Sequence, residues 1–177
     1  PGRLERIAGD PPLLLDGAHN PAGAAALAAH LRGGPPFVLL FGAMADKDIA
    51  GIARALFPLA RAVVLTRPRI SRAASPAELA HRAGPLARGA ERQPGVFRAL
   101  ALARALARRE PGTVVVVAGS LYLVGAVKAL LERECSALSG REGSALSDRA
   151  GAGSRRWRRA GARSSRRHRS GCRTRRR

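Results

Sequence analysis

Short aliphatic runs alternate with helical patterns from Pro12 to about Glu134. The runs are PLLLD (12–16), FVLLF (37–41), AVVLT (62–66) and TVVVVA (113–118). Between them lie AGAAALAAHL (22–31), DIAGIARALFPL (48–59), SPAELAHRA (75–83) and GVFRALALARALARR (95–109), and LYLVGAVKALLERE (121–134) follows the last. Runs of four to six aliphatic residues spaced by helical segments predict βαβ units and a mainly parallel sheet. Continuous rather than alternating apolar character means that both faces of each strand are covered. The expected fold is therefore α/β, a Rossmann-like sheet with helices on both faces. A further short strand is expected between Pro85 and Gly95, where the pattern is indistinct.

Past Glu134 the apolar pattern fades. SALSGREG (136–143) is echoed by SALSDRAG (144–151), and RRWRRAGARSSRRHRSGCRTRRR (155–177) has no period that could bury a core. Residues 1–134 are accordingly expected to form the folded domain, and 135–177 a disordered basic tail. Charge supports the division. Of a net +20, the first 134 residues carry 18 Lys/Arg against 10 Asp/Glu, and the rest 14 against 2. The tail has two readings. One is an RNA- or DNA-binding segment, with Trp157 stacking on a base among arginines. The other is out-of-frame or non-coding translation. Thirty arginines against two lysines, the mark of a GC-rich gene, favour the second.

Composition narrows the rest. With 46% apolar but only 3% aromatic residues, the core must be aliphatic. No run of eighteen apolar residues suggests a membrane span, and no signal-like opening is seen, so a cytoplasmic protein is expected. Cys135 and Cys172 lack metal-like spacing, and no structural disulfide is expected of them. The chain contains no G-x-x-x-x-G-K-[ST] and no G-x-S-x-G, so neither a P-loop nor an acyl-transfer nucleophile is predicted.

Three strands end in loops of distinctive chemistry: DGAHNPAG (16–23), GAMADKD (42–48) and GSLYLVG (119–125). In a parallel sheet they converge at the carboxyl edge, where open α/β sheets bind ligands. Each loop also has a plain reading. Gly17 suits a sharp exit, and Asn20 before Pro21 suits a helix cap, but neither explains Asp16 or His19. A carboxylate at a strand end can accept ribose hydroxyls, and His19 can hydrogen-bond a phosphate or carboxylate. Asp48 suits a cap, and Asp46 and Lys47 form either a solvated turn or a hold on an anionic substrate. Gly119 and Ser120 open a helix, as a simple turn or as an anion site. His30, His81 and His168 carry no assigned role.

PGRLE (1–5), LLLDGAHNP (13–21), GAMADKD (42–48), TRP (66–68), SP (75–76) and VVVVAGSLYLVGAV (114–127), in that order, resemble the C-terminal domain of folylpolyglutamate synthase. That enzyme is often bifunctional with dihydrofolate synthase and belongs to the Mur ligase superfamily. The resemblance spans about residues 1–134. It implies a ligase that uses ATP and Mg²⁺ to phosphorylate a folate or dihydropteroate carboxylate, which the L-glutamate amine then attacks. It further implies that Arg3 contacts ATP phosphates, Asp16 the nucleotide ribose, and His19 the nucleotide and reaction centre. Lys47 and Ser120 match loops facing the closed cleft. The P-loop and Mg²⁺ ligands belong to a preceding domain in this family, so the chain alone is expected to be inactive. Two alternatives remain at this point: a UDP-muramyl peptide ligase domain, and a nucleic-acid-binding protein acting through its tail.

Overall fold

The computed structural model describes residues 2–147, and side chains as far as residue 136. Six strands form one sheet: β1 (Glu5–Ile7), β2 (Leu13–Leu15), β3 (Phe37–Phe41), β4 (Ala62–Arg67), β5 (Glu91–Gly95) and β6 (Val114–Ala118). Their spatial order is β1-β2-β6-β3-β4-β5, with every pairing parallel except β1 on β2. The five helices of the described residues are α1 (Pro21–Leu31), α2 (Ile49–Leu56), α3 (Pro76–Ala83), α4 (Val96–Ala107) and α5 (Leu121–Ser147). The predicted α/β fold with a mainly parallel sheet is what the chain adopts.

Period-two side-chain direction divides the core. Leu39 and Phe41 of β3 join Leu27, Ile52, Leu56 and Leu79, so α1, α2 and α3 cover one face. Val38 and Leu40 join Leu100, Ala103, Leu123 and Val127, so α4 and α5 cover the other. All five residues of β3 are buried, which accounts for its unbroken apolar run. The helix starts also follow the sequence. Asn20, Asp48 and Ser75 each accept a first-turn amide, and Pro21 and Pro76 stand at the first helical positions.

The strand expected after Pro85 is present as Glu-Arg-Gln-Pro-Gly, a mostly exposed edge that tolerates Pro94. Two elements depart from the sequence pattern. Strand β1 has no signature in it, because Glu-Arg-Ile carries no aliphatic run and pairs on one side only. Helix α5 continues to Ser147 rather than ending at Glu134. Once a helix is nucleated, adding residues costs little, and the extension runs on through Gly140, Gly143 and four serines, which intrinsic propensity alone does not predict. The arginine-rich stretch at 155–177 lies outside the described residues. Among those described, no helix is long and apolar enough to cross a membrane.

Candidate functional site

Since β2, β6 and β3 are neighbours and parallel, the loops after them meet at one edge. Backbone hydrogen bonds stitch them together. Asp16 N–H donates to Val117 (3.0 Å), Gly119 N–H to Ala18 (2.9 Å) and Gly42 N–H to Ala118 (3.3 Å). The edge is also the switch point of the sheet: successive strands β2 and β3 leave a gap that β6 fills, and such a point in an open α/β sheet is where ligands bind.

Asp16 is buried, and both its oxygens are engaged. Oδ1 accepts the Ala18 amide at 2.8 Å and Oδ2 accepts the Leu4 amide at 3.0 Å. One lone-pair direction on each oxygen is left for a hydroxyl donor. Gly17 lies against a neighbour: a Cβ there would come 2.3 Å from Leu121 Cδ2, and its N–H donates to Gly2 at 2.6 Å. The apolar strand thus has a local reason to stop on Asp-Gly-Ala-His, since that loop packs against the turn ahead of β1. His19 is exposed, with Nδ1 2.8 Å from the Gly17 carbonyl, which leaves Nε2 facing outward from that contact.

Arg3 is exposed on the same turn. The turn is anchored from behind by Glu5, which accepts the Gly2 amide at 3.0 Å and Lys128 Nζ at 2.9 Å. The Lys128 ammonium above all, and the Gly2 amide next, hold the Glu5 carboxyl below its ordinary value of 4.5 against the opposing effect of burial. A lowered folded-state value means that this pair stabilises fully above the ordinary value and loses its contribution as pH falls through the lowered one. Lys128→Ala is expected to raise the Glu5 titration midpoint in an NMR pH series and to cost about 1 kcal/mol at neutral pH, fading below the ordinary carboxylate range.

The second loop is braced rather than free. Arg82 of α3 donates to the Ala45 carbonyl and, at 2.6 Å, to that of Lys47. Ala45 N–H donates to Arg72 (2.9 Å) and Ala74 N–H to Ala43 (3.0 Å). The Lys47 ammonium lies 3.2 Å from Asp46, holding that carboxyl below its ordinary value. Lys47 therefore meets any anion as half of an ion pair. Sequence reasoning misses Arg82, because a lone arginine on a short helix carries no signal that it reaches back to a loop more than thirty residues away.

Ser120 is almost wholly buried, and its Oγ accepts the Tyr122 amide at 3.1 Å as α5 begins. It thus caps the helix start from inside the edge. Arg3, Asp16, His19, Lys47 and Ser120 all belong to this one edge. Among the described residues no three His, Cys, Asp or Glu side chains converge as a metal site. The edge offers the Arg3 guanidinium rather than a carboxylate cluster, which suits anions better than a hard cation.

Comparison with known proteins matches residues 2–121 to the family described as Mur ligase, glutamate ligase domain. The dihydrofolate synthase/folylpolyglutamate synthase of Mycobacterium tuberculosis is 45% identical over 87 residues, 48% of this chain and 18% of that protein. The M. tuberculosis folylpolyglutamate synthase structure complexed with ADP superposes with a TM-score of 0.68 at 34% identity, covering 73% of this chain and 32% of that one. A bifunctional folylpolyglutamate synthase/dihydrofolate synthase solved with Mn, AMPPNP and L-glutamate gives 0.64 at 29% identity, covering 75% and 32%. The chain thus spans a third or less of the length of these relatives. It belongs to the Mur ligase glutamate ligase domain family, as a C-terminal domain of the folylpolyglutamate synthase/dihydrofolate synthase type.

Proposed function

We propose that this chain is the nucleotide-covering part of an ATP-dependent ligase that joins L-glutamate to a folate or dihydropteroate carboxylate. One observation carries the reading. The three motif loops meet at the switch point of a parallel sheet, the first hydrogen-bonded to the third and the second to the end of β6 from which the third departs, in a domain similar to one solved with ADP in a relative. ATP, when bound, supplies the phosphoryl group that activates the carboxylate as an acyl phosphate, and the glutamate amine displaces phosphate.

The chain's own residues then divide the work. Arg3 supplies positive charge to the phosphates, and a guanidinium pairs with phosphate oxygens in a fork. Asp16 turns its remaining lone pairs to the ribose hydroxyls. His19 offers Nε2 near the reacting phosphate, and the loops of Lys47 and Ser120 line the side toward glutamate. Leu4, Leu121 and Tyr122, exposed beside this edge, suit closure against a second domain, which would exclude water from a labile acyl phosphate. The P-loop and Mg²⁺ ligands are assigned to that second domain, and the setting is cytoplasmic, where ATP and folates are at hand.

Isothermal titration of the 177-residue chain with ATP is expected to show weak saturable binding that Arg3→Ala weakens about tenfold, as loss of one charge-assisted contact does. No ligase turnover is expected until a P-loop domain of the same family is added, and then with folate and L-glutamate rather than a muramyl-peptide substrate. Absence of saturable binding, or turnover only with the muramyl substrate, would sink this reading.

A further inference from the structure

Arg3 is the one exposed cation on the turn before β1, and its guanidinium makes no hydrogen bond or ion pair among the described residues. Its backbone, by contrast, is tied on both sides. The residue before it, Gly2, accepts the Gly17 amide at 2.6 Å. The residue after it, Leu4, donates its amide to Asp16 Oδ2 at 3.0 Å. Leu4 has a φ of +46°, in the left-handed region that a leucine rarely adopts and keeps only where its surroundings over-determine it. The Asp16 carboxylate is a bond that does so. It is itself fixed by the Ala18 amide at 2.8 Å, and the Asp16 amide is fixed to β6 at 3.0 Å.

We infer that Asp16 is the positioning residue for Arg3: its carboxylate holds the strained Leu4 amide, and so aims the arginine at the phosphates, whatever it also does for a ribose. The charge suits the task. A carboxylate has acceptor sites enough for two backbone amides and a further donor, whereas an asparagine replaces one oxygen by an NH₂ that would face an amide donor. Asp16→Asn therefore leaves the size of the residue unchanged and breaks one of its two amide contacts.

The inference rests on the nucleotide reading above, and inorganic tripolyphosphate separates the two, because it has phosphates and no ribose. In titrations of the full chain, Asp16→Asn is expected to weaken tripolyphosphate binding about tenfold. In an Arg3→Ala background the same change is expected to add less than about twofold, since the two residues act as one unit. Two results overturn the inference. One is tripolyphosphate binding unchanged by Asp16→Asn while ATP binding falls and 2′,3′-dideoxy-ATP binding does not, which leaves ribose contact as the whole role. The other is full additivity with Arg3→Ala.

If the unaltered chain binds neither tripolyphosphate nor ATP, the nucleotide reading fails, and the positioning claim is decided without ligand. NMR must then show faster exchange of the Leu4 amide and a less ordered Arg3 side chain in Asp16→Asn, and unchanged spectra overturn it. Should Asp16→Asn not fold, Glu5→Ala loosens the same turn at Gly2, and its loss of tripolyphosphate affinity must vanish without Arg3.

Discussion

Gly119→Ala is expected to cost about 4 kcal/mol of stability, a large share of what a domain of this size holds. Gly119 has a φ of +107°, a conformation that side chains resist. An added Cβ would also lie 2.6 Å from Phe41 Cε2 and 2.7 Å from the Gly42 carbonyl. A ring can turn aside, but a carbonyl of the neighbouring loop cannot move alone. Gly42 donates to Ala118, and Gly119 donates to Ala18, so pushing one loop pulls the other two. Urea unfolding should show a lower midpoint with an unchanged slope. The same variant should bind ATP more weakly even when folded, because the DGAH loop hangs on the Gly119 amide. A midpoint shifted by less than about 1 kcal/mol would mean that the edge is looser than its contacts indicate.

That stitching explains why part of the site is legible from sequence and part is not. The interior strands announce themselves: FVLLF at 37–41 coincides with β3 because every residue in it is buried. Parallel order then forces the loops after β2, β3 and β6 to one edge, so their convergence follows from pattern alone. The caps at Asn20 and Asp48 are equally legible, since a side chain three residues ahead of its amide is a local matter. What escapes is non-local. Nothing in LLLDGAH says that Asp16 spends an oxygen on the amide of Leu4, twelve positions earlier and across an antiparallel strand with no signature of its own. The bracing of the Lys47 loop by Arg82 depends on where α3 lands, which the sequence leaves open. Edge strands such as Glu-Arg-Gln-Pro-Gly hide for the opposite reason. With one side exposed, they need no apolar signature, and charge there discourages pairing with other chains.

Phe41→Ala is the second large effect, expected at about 3–5 kcal/mol by urea unfolding. Phe41 is fully buried at the carboxyl end of β3 and meets Phe57 edge-to-face, with ring centroids 5.2 Å apart at 80°. Phe57, the ring in contact, is itself buried among packed side chains and has little freedom to swing into the space, so the cavity should persist, and the cost belongs at the upper part of that range. The ring is also the nearest obstacle to a Cβ at Gly119. Removing it therefore relieves part of the clash made by Gly119→Ala, and leaves the strained φ and the Gly42 carbonyl in place. In a double-mutant cycle, run with a stabilising osmolyte so that every variant stays folded, the two changes should cost about 1–2 kcal/mol less together than separately. Strict additivity would show that the carbonyl alone sets the penalty at Gly119. Coupling of the expected size would show that one buried ring shapes both the core under β3 and the loop edge above it.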